Sequence, residues 1–164
     1  MQDYFVTLAR YNAWANARLC NACADLPREE ITKERQAFFG SILGTLNHLL
    51  VGEKIWLARL EAMDSGISRL DETLHSEFVD LRQAREEQDR LLITYTENLT
   101  DDILAGDVRY RATSGEEMHT PVKFVLAHLF NHGTHHRGQV HDMLTQVPSV
   151  PPPLDLIYYL REMA

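Results

Sequence analysis

The sequence predicts an all-α fold: a four-helix bundle with a small β-hairpin excursion before the last long helix and a short C-terminal helix. Three observations carry this. Apolar residues recur at three- and four-residue steps through four long stretches. The breaks between those stretches hold helix-stopping or helix-starting residues. Only one short region changes to two arms flanking a turn. Four amphipathic helices bury their stripes against one another, so residues 1–164 are expected to form a single bundle domain.

The first helix is expected from about Gln2 to Ala24, with Phe5, Leu8, Ala15, Leu19 and Ala22 on its stripe and Leu26-Pro27 as its stop. The second runs from about Phe38 to Met63 through Ile42, Leu46, Leu49, Trp56 and Leu60, and Asp64-Ser65-Gly66 ends it. The third, about Asp71 to Leu99, carries Leu74, Phe78, Leu81, Leu92, Tyr95 and Leu99. Arg85 and Gln88 interrupt that stripe, and drift of the pattern or long side chains snorkelling to solvent explain them better than a cavity lining does. Val108 to Ala112 and Glu117 to His119 flank Thr113-Ser114-Gly115-Glu116 as hairpin arms. Two strands cannot stand alone, so they should lie across one end of the bundle. Thr120-Pro121 then opens the fourth helix, Thr as N-cap and Pro at the first helical position, and the helix runs to about Gln146. Pro148 to Pro153 is an extended strap, and Leu154 to Glu162 a short fifth helix that returns Leu156, Ile157 and Leu160 to the bundle.

Composition narrows the function. A net charge of −8 and no clustered Lys or Arg argue against a nucleic-acid surface. No run of eighteen apolar residues exists to cross a membrane. The N-terminal residues lack a basic start, an unbroken apolar segment and a small-residue cleavage site, so a cytoplasmic location is expected. Cys20 and Cys23 form a C-x-x-C pair, but neither a second ligand pair nor a βαβ context accompanies it, and they read as two small residues on one side of the first helix.

Five of the eight histidines fall between His128 and His141. His132 and His136 are four apart, hence on one face of a helix one turn apart, close enough to grip one ion. A third ligand must come from among His48, His75, His119, His128, His135 and His141. His141 lies roughly 160° and His135 roughly 80° from the 132/136 face, and His128 drifts about 60° from its centre. His75 belongs near the end of the bundle, whereas His48 sits well inside the second helix and is the natural partner from a neighbouring one. Yet the Leu stripe of that helix centres on Leu46, Leu50, Glu53 and Leu57, and His48 points roughly 160° away. Gly44, Gly52 and Ile55 make this second face small and fairly apolar, as though the helix were buried on two sides. The second side would meet another helix or a second subunit, and a homodimer follows as an expectation.

The segments Asn47-His48-Leu49-Leu50-Val51-Gly52-Glu53-Lys54-Ile55-Trp56 and Asn131-His132-Gly133-Thr134-His135-His136-Arg137-Gly138-Gln139 resemble the two signature segments of the DinB family of bacterial metalloenzymes. Tyr11-Asn12-Ala13-Trp14-Ala15-Asn16 is similar to the family's first-helix motif, and Leu154-Asp155-Leu156-Ile157-Tyr158-Tyr159-Leu160-Arg161 to its closing segment. The resemblance implies a four-helix bundle, commonly dimeric, in which His48, His132 and His136 bind a divalent ion. Zinc or nickel is expected first, and three-histidine sites also accept manganese, iron or copper.

Behind the ligands, Glu53 is expected as a buried carboxylate bonded to Asn12, Asn16 or a ligand imidazole. Gln139 is within about 40° of the ligand face, near enough to touch a bound water or to bridge backbone groups, and His128 stands one turn before His132. Arg137 is expected to point off the site and pair with an acid. Relatives of the fold include transferases that place a low-molecular-weight thiol on an electrophile, and a thiol-dependent isomerase. The resemblance therefore implies a metal-dependent enzyme of thiol transferase type acting on a small electrophilic substrate, with hydrolase chemistry as a sibling. The alternative is a non-catalytic, stress-associated bundle that binds a metal or ligand, because no general acid or base is evident beside the histidines.

Overall fold

A computed structural model describes residues 1–112 and 115–164. Helix α1 (Gln2–Ala24) has the expected bounds, and a single turn, α2 (Arg28–Thr32), follows Pro27. Helix α3 (Ile42–Leu60) is shorter at both ends than periodicity suggests. Ser41 sets its start, its hydroxyl accepting the Gly44 N–H at 3.0 Å, and Phe38-Phe39 belong to the loop before it. Its end is a Schellman motif: Met63 N–H donates to the Ala58 carbonyl at 2.8 Å and Ala62 N–H to that of Arg59 at 3.2 Å. Ala62 there takes φ +55°, a conformation that usually falls to glycine.

Helix α4 (Phe78–Glu97) also begins later than expected. Leu74, which extends the apolar pattern backward, reaches the core from a non-helical connection instead. That connection is tied to α3 at His75 by the Asn47 side chain: Asn47 Nδ2 donates to the His75 carbonyl and His75 N–H donates to Asn47 Oδ1, both at 3.0 Å. After the short α5 (Asp101–Ala105), strands β1 (Asp107–Arg111) and β2 (Glu117–Pro121) pair antiparallel, Val108 opposite Thr120 and Tyr110 opposite Met118. Thr113 and Ser114 of the expected turn lie outside the described residues.

Thr120 is a strand residue and not the N-cap expected of it. The ladder extends to Asp107 opposite Pro121, and Val122 N–H donates to the Gly106 carbonyl at 3.0 Å, so helix α6 (Val122–Leu144) starts only after Pro121. In α7 (Leu156–Glu162) the buried residue is Tyr159, against Tyr11 and Trp14, while Ile157 and Leu160 remain 49% and 40% exposed. Of the three residues expected to return to the bundle, Leu156 packs against this cluster and Ile157 and Leu160 do not. No helix among the described residues is long and apolar enough to cross a membrane.

Helices α1, α3, α4 and α6 make the bundle, α1 lying against α4 and α6, and α3 against both of these as well. Its interior has three levels. One apolar cluster joins Leu19, Ile42, Leu46, Leu50, Leu81, Val140 and Leu144, and another joins Phe5, Leu57, Leu92, Leu126, Leu129 and Phe130. Between them all four helices contribute buried polar groups: Asn12 and Asn16, Glu53, Arg85 with Gln88 and Asp89, and Arg137. Arg85 bonds Glu53 and reaches Asp89 at 3.2 Å, and Arg137 donates to Asn12 and, at 3.2 Å, to Asn16. Arg85 and Gln88 therefore do not snorkel, and Arg137 hydrogen-bonds two amides where an acid was expected. Two cations and two carboxylates balance in this layer, and each satisfies a group that would otherwise be buried bare.

Candidate metal centre

The polar layer fixes the height of a second group of side chains on the other side of α6. Gly133 and Arg137 face the layer, and their neighbours His132 and His136 face α3, where His48 stands. The nitrogen donors of His48, His132 and His136 all lie within 4.8 Å of one another. His48 Nε2 and His132 Nε2 are 3.1 Å apart. Two nitrogens bound to one tetrahedral zinc at its usual bond length stand about 3.3 Å apart, so the spacing fits an ion between them.

Ring orientation fits as well. The Leu70 carbonyl, 2.7 Å away, accepts the proton of His48 Nδ1, and Gln139 Oε1, at 2.8 Å, accepts that of His136 Nδ1. Both rings are thereby committed to the tautomer whose Nε2 lone pair turns toward the cluster, the arrangement metal-ligating histidines share. Burial lowers the pKa of all three imidazoles, and the neighbouring rings of His136 and His48 help bring His132 down to about 3. Neutral, lone-pair-inward imidazoles are the form that takes up a metal ion.

Two glycines make this close approach available. A Cβ on Gly52 would lie 2.9 Å from His132 Cε1. A Cβ on Gly44 would overlap the Phe39 carbonyl oxygen, whose loop brings the Phe39 ring onto that of His48 with centroids 3.8 Å apart. The small second face of α3 is thus covered by the chain's own loop and by α6, which accounts for its apolar character without a second subunit.

The histidines open onto a cavity of about 820 Å³ walled by Phe38, Phe39, Trp56, Leu70, Tyr110 and His128 among others. This is within the usual range for small-molecule sites. Asp71 is the carboxylate among the lining residues, and Arg69 holds it through bonds of 2.7 and 2.9 Å.

The supporting residues sort themselves differently from expectation. Gln139 acts through His136 and also reaches His135 Nε2 at 3.2 Å. His128 is exposed, its ring edge-on to Trp56, and forms cavity wall without bonding a triad imidazole. Glu53 bonds Asn12 at 3.2 Å and Arg85, but neither Asn16 nor an imidazole; burial pushes its pKa up while Arg85 opposes. His75 and His141 stand away from the cluster. Sequence reasoning misses Phe39, Leu70 and Tyr110, because loops and a strand distant in sequence bring them to the site, and it misses Arg59, which stands near the end of α3 with no motif to mark it. Cys20 and Cys23 are free thiols buried on α1.

The sequence model of the DinB family matches residues 1–163. The chain is also similar to the protein named Protein DinB of Bacillus subtilis (strain 168), 32% identical over 165 residues that cover 98% of this chain and 95% of the relative. Nearly the whole length takes part in both matches, the bundle and its three-histidine cluster included: the chain belongs to the DinB family.

Proposed function

We propose that His48, His132 and His136 hold a divalent ion, zinc or nickel, and that the chain is a metal-dependent enzyme transferring a low-molecular-weight thiol to a small electrophile. The observation that carries this is the convergence of three donors within 4.8 Å, two with their Nδ1 atoms bonded outward, at the floor of an 820 Å³ cavity. Such an ion keeps its full charge and an open position, and supplies the Lewis acidity that brings a thiol or water toward ionisation at neutral pH. The protein's own part is to hold the rings neutral and oriented and to offer an apolar wall to the electrophile through Phe39, Trp56 and Tyr110. Asp71, already engaged by Arg69, is poorly placed to serve as a general base. That favours thiol transfer over hydrolysis, since a free thiol, with a pKa of about 8.5, needs far less help to ionise than water, at about 15.7.

The same engaged Asp71 supports a second reading, a non-catalytic bundle that binds metal or ligand. Elemental analysis of untagged protein beside His136→Ala separates metal-binding from metal-free readings: near-stoichiometric metal in the wild type, lost in the variant, is expected. His48→Ala and His132→Ala should behave alike, and His141→Ala should retain the metal. Zinc-loaded protein with monochlorobimane and a series of thiols then tests turnover. If no thiol reacts above the His136→Ala background, transferase chemistry is wrong and the binding reading stands.

A further inference from the structure

Arg59, on α3, carries a guanidinium that no acid claims among the described residues. Its Cζ lies 4.6 Å from the Trp56 ring centre and 4.5 Å from that of Tyr110, and Nη2 donates to the Arg111 carbonyl at 3.3 Å. Partial burial lowers its pKa, the direction expected of a cation stripped of water without a counter-charge. Two aromatic rings and one main-chain oxygen fix the group while leaving most of its donor fork unused.

Arg59 lines both the cavity before the histidines and an adjoining hollow of about 450 Å³, with Tyr110 and Leu70 as common walls. Arg69, Arg109 and Arg111 also line the hollow. Arg69 is answered by Asp71 and Arg111 by Glu117, and Asp64 on the same wall accepts the Gly66 N–H. Arg109, like Arg59, has no acid partner among the described residues. Arg59 and Arg109 against Asp64 leave one positive charge in excess here, on a chain of net charge −8. An unbroken row of rings joins this place to the triad: His132 to His128 at 5.7 Å, His128 to Trp56 at 5.2 Å, then Trp56 to the guanidinium.

The geometry points to Arg59, backed by Arg109, as the recognition point for a carboxylate or phosphate group on the molecule whose other end reaches the histidines. A guanidinium fork takes either oxyanion through paired hydrogen bonds, and the ligand's apolar body would lie along Trp56 and Tyr110. The metal reading is needed only for the far end of that molecule.

Calorimetric and tryptophan-fluorescence titrations of the metal-free full-length protein test this with 3-phenylpropionate, benzyl phosphate and the neutral methyl ester of 3-phenylpropionate. Omitting metal keeps the anions from binding an ion instead. At least one anion should bind about tenfold more tightly than the ester, and added salt should erode that preference. Which anion binds better identifies the oxyanion. In Arg59→Met the preference should fall to near unity while zinc stoichiometry, measured separately, stays at the wild-type value. No anion binding, equal binding of anion and ester, or a preference undiminished in a folded Arg59→Met protein would each overturn the assignment. If Arg59→Met does not fold, the wild-type comparison decides alone. Failure of the metal reading would show instead as absent zinc, with this titration unaffected.

Discussion

Replacing Gly52 by alanine would separate the site from the fold. The added Cβ would sit 2.9 Å from His132 Cε1, where carbon atoms in contact prefer about 3.5 to 4.0 Å. The imidazole must retreat by about 0.6 Å or more, beyond the tolerance of about 0.2 Å within which metal–ligand distances are held. Affinity for zinc should fall by about 10- to 100-fold, the usual cost of disturbing a ligand's support. The fold should survive. Alanine gains about 1 kcal/mol over glycine within a helix, which offsets part of an overpacking cost of about 1–3 kcal/mol, so the metal-free melting temperature should move by only a few degrees. Gly138→Ala is the control, since nothing lies within 4 Å of its Cβ position; it should raise the melting temperature by about 2–4 °C and leave zinc affinity alone. The assay is competition for zinc against a fluorescent chelator, with thermal melts on the same samples. Wild-type affinity in Gly52→Ala would show that the close approach of α3 to His132 does not set the ligand geometry.

Glu53→Gln leaves Arg85 buried with only Asp89 to answer it, and should cost about 3–5 kcal/mol, near 10 °C in a thermal melt. Zinc binding at low temperature should persist, because no bond joins Glu53 to the triad. Ala62→Gly relieves the left-handed backbone at the end of α3 and should stabilise by about 1 kcal/mol in denaturant titration; a loss would mean that the Ala62 methyl has a packing role. Metal-free protein should lose stability as pH falls from about 6.5 toward about 3. The unfolded histidines take up protons near their ordinary pKa while the folded ones, lowered by burial and led by His132, resist, so the unfolded state binds more protons throughout that window. His132→Asn should flatten the slope between pH 7 and pH 5, and equal slopes would contradict the assigned neutrality of the cluster.

Much of the bundle is legible in the spacing of apolar residues, and α1 is read to the residue. The misreadings share a cause. Phe38 and Leu74 are apolar and continue a helical register, so periodicity lengthens α3 and α4 into loops, although Leu74 reaches the core from a non-helical segment and Phe38 stays exposed. The polar layer is hidden in another way: Arg85 and Gln88 fall on the apolar stripe, and side-chain type alone suggests that they reach for solvent, because the acid that holds Arg85, Glu53 on α3, is brought to it only by tertiary packing. Periodicity does place His48 away from the Leu stripe, and the structure agrees; what the pattern cannot show is that α6 covers the far face. His132 and His136 need no such help, since ligand spacing is written within one helix. The aromatic cavity wall is the least legible part, drawn from three segments with no local signature.

One contact has a bearing on how the molecule could diversify. His48 is oriented by a main-chain oxygen, that of Leu70, in a connection whose other end is tied to α3 through the backbone of His75. A carbonyl is the same whatever residue bears it. Positions along that connection can therefore exchange side chains, reshaping the entrance and the neighbours of Arg59, without disturbing the imidazole they steady. Descendants of one such protein could acquire new ligand preferences by drift in this segment while inheriting an unaltered histidine cluster.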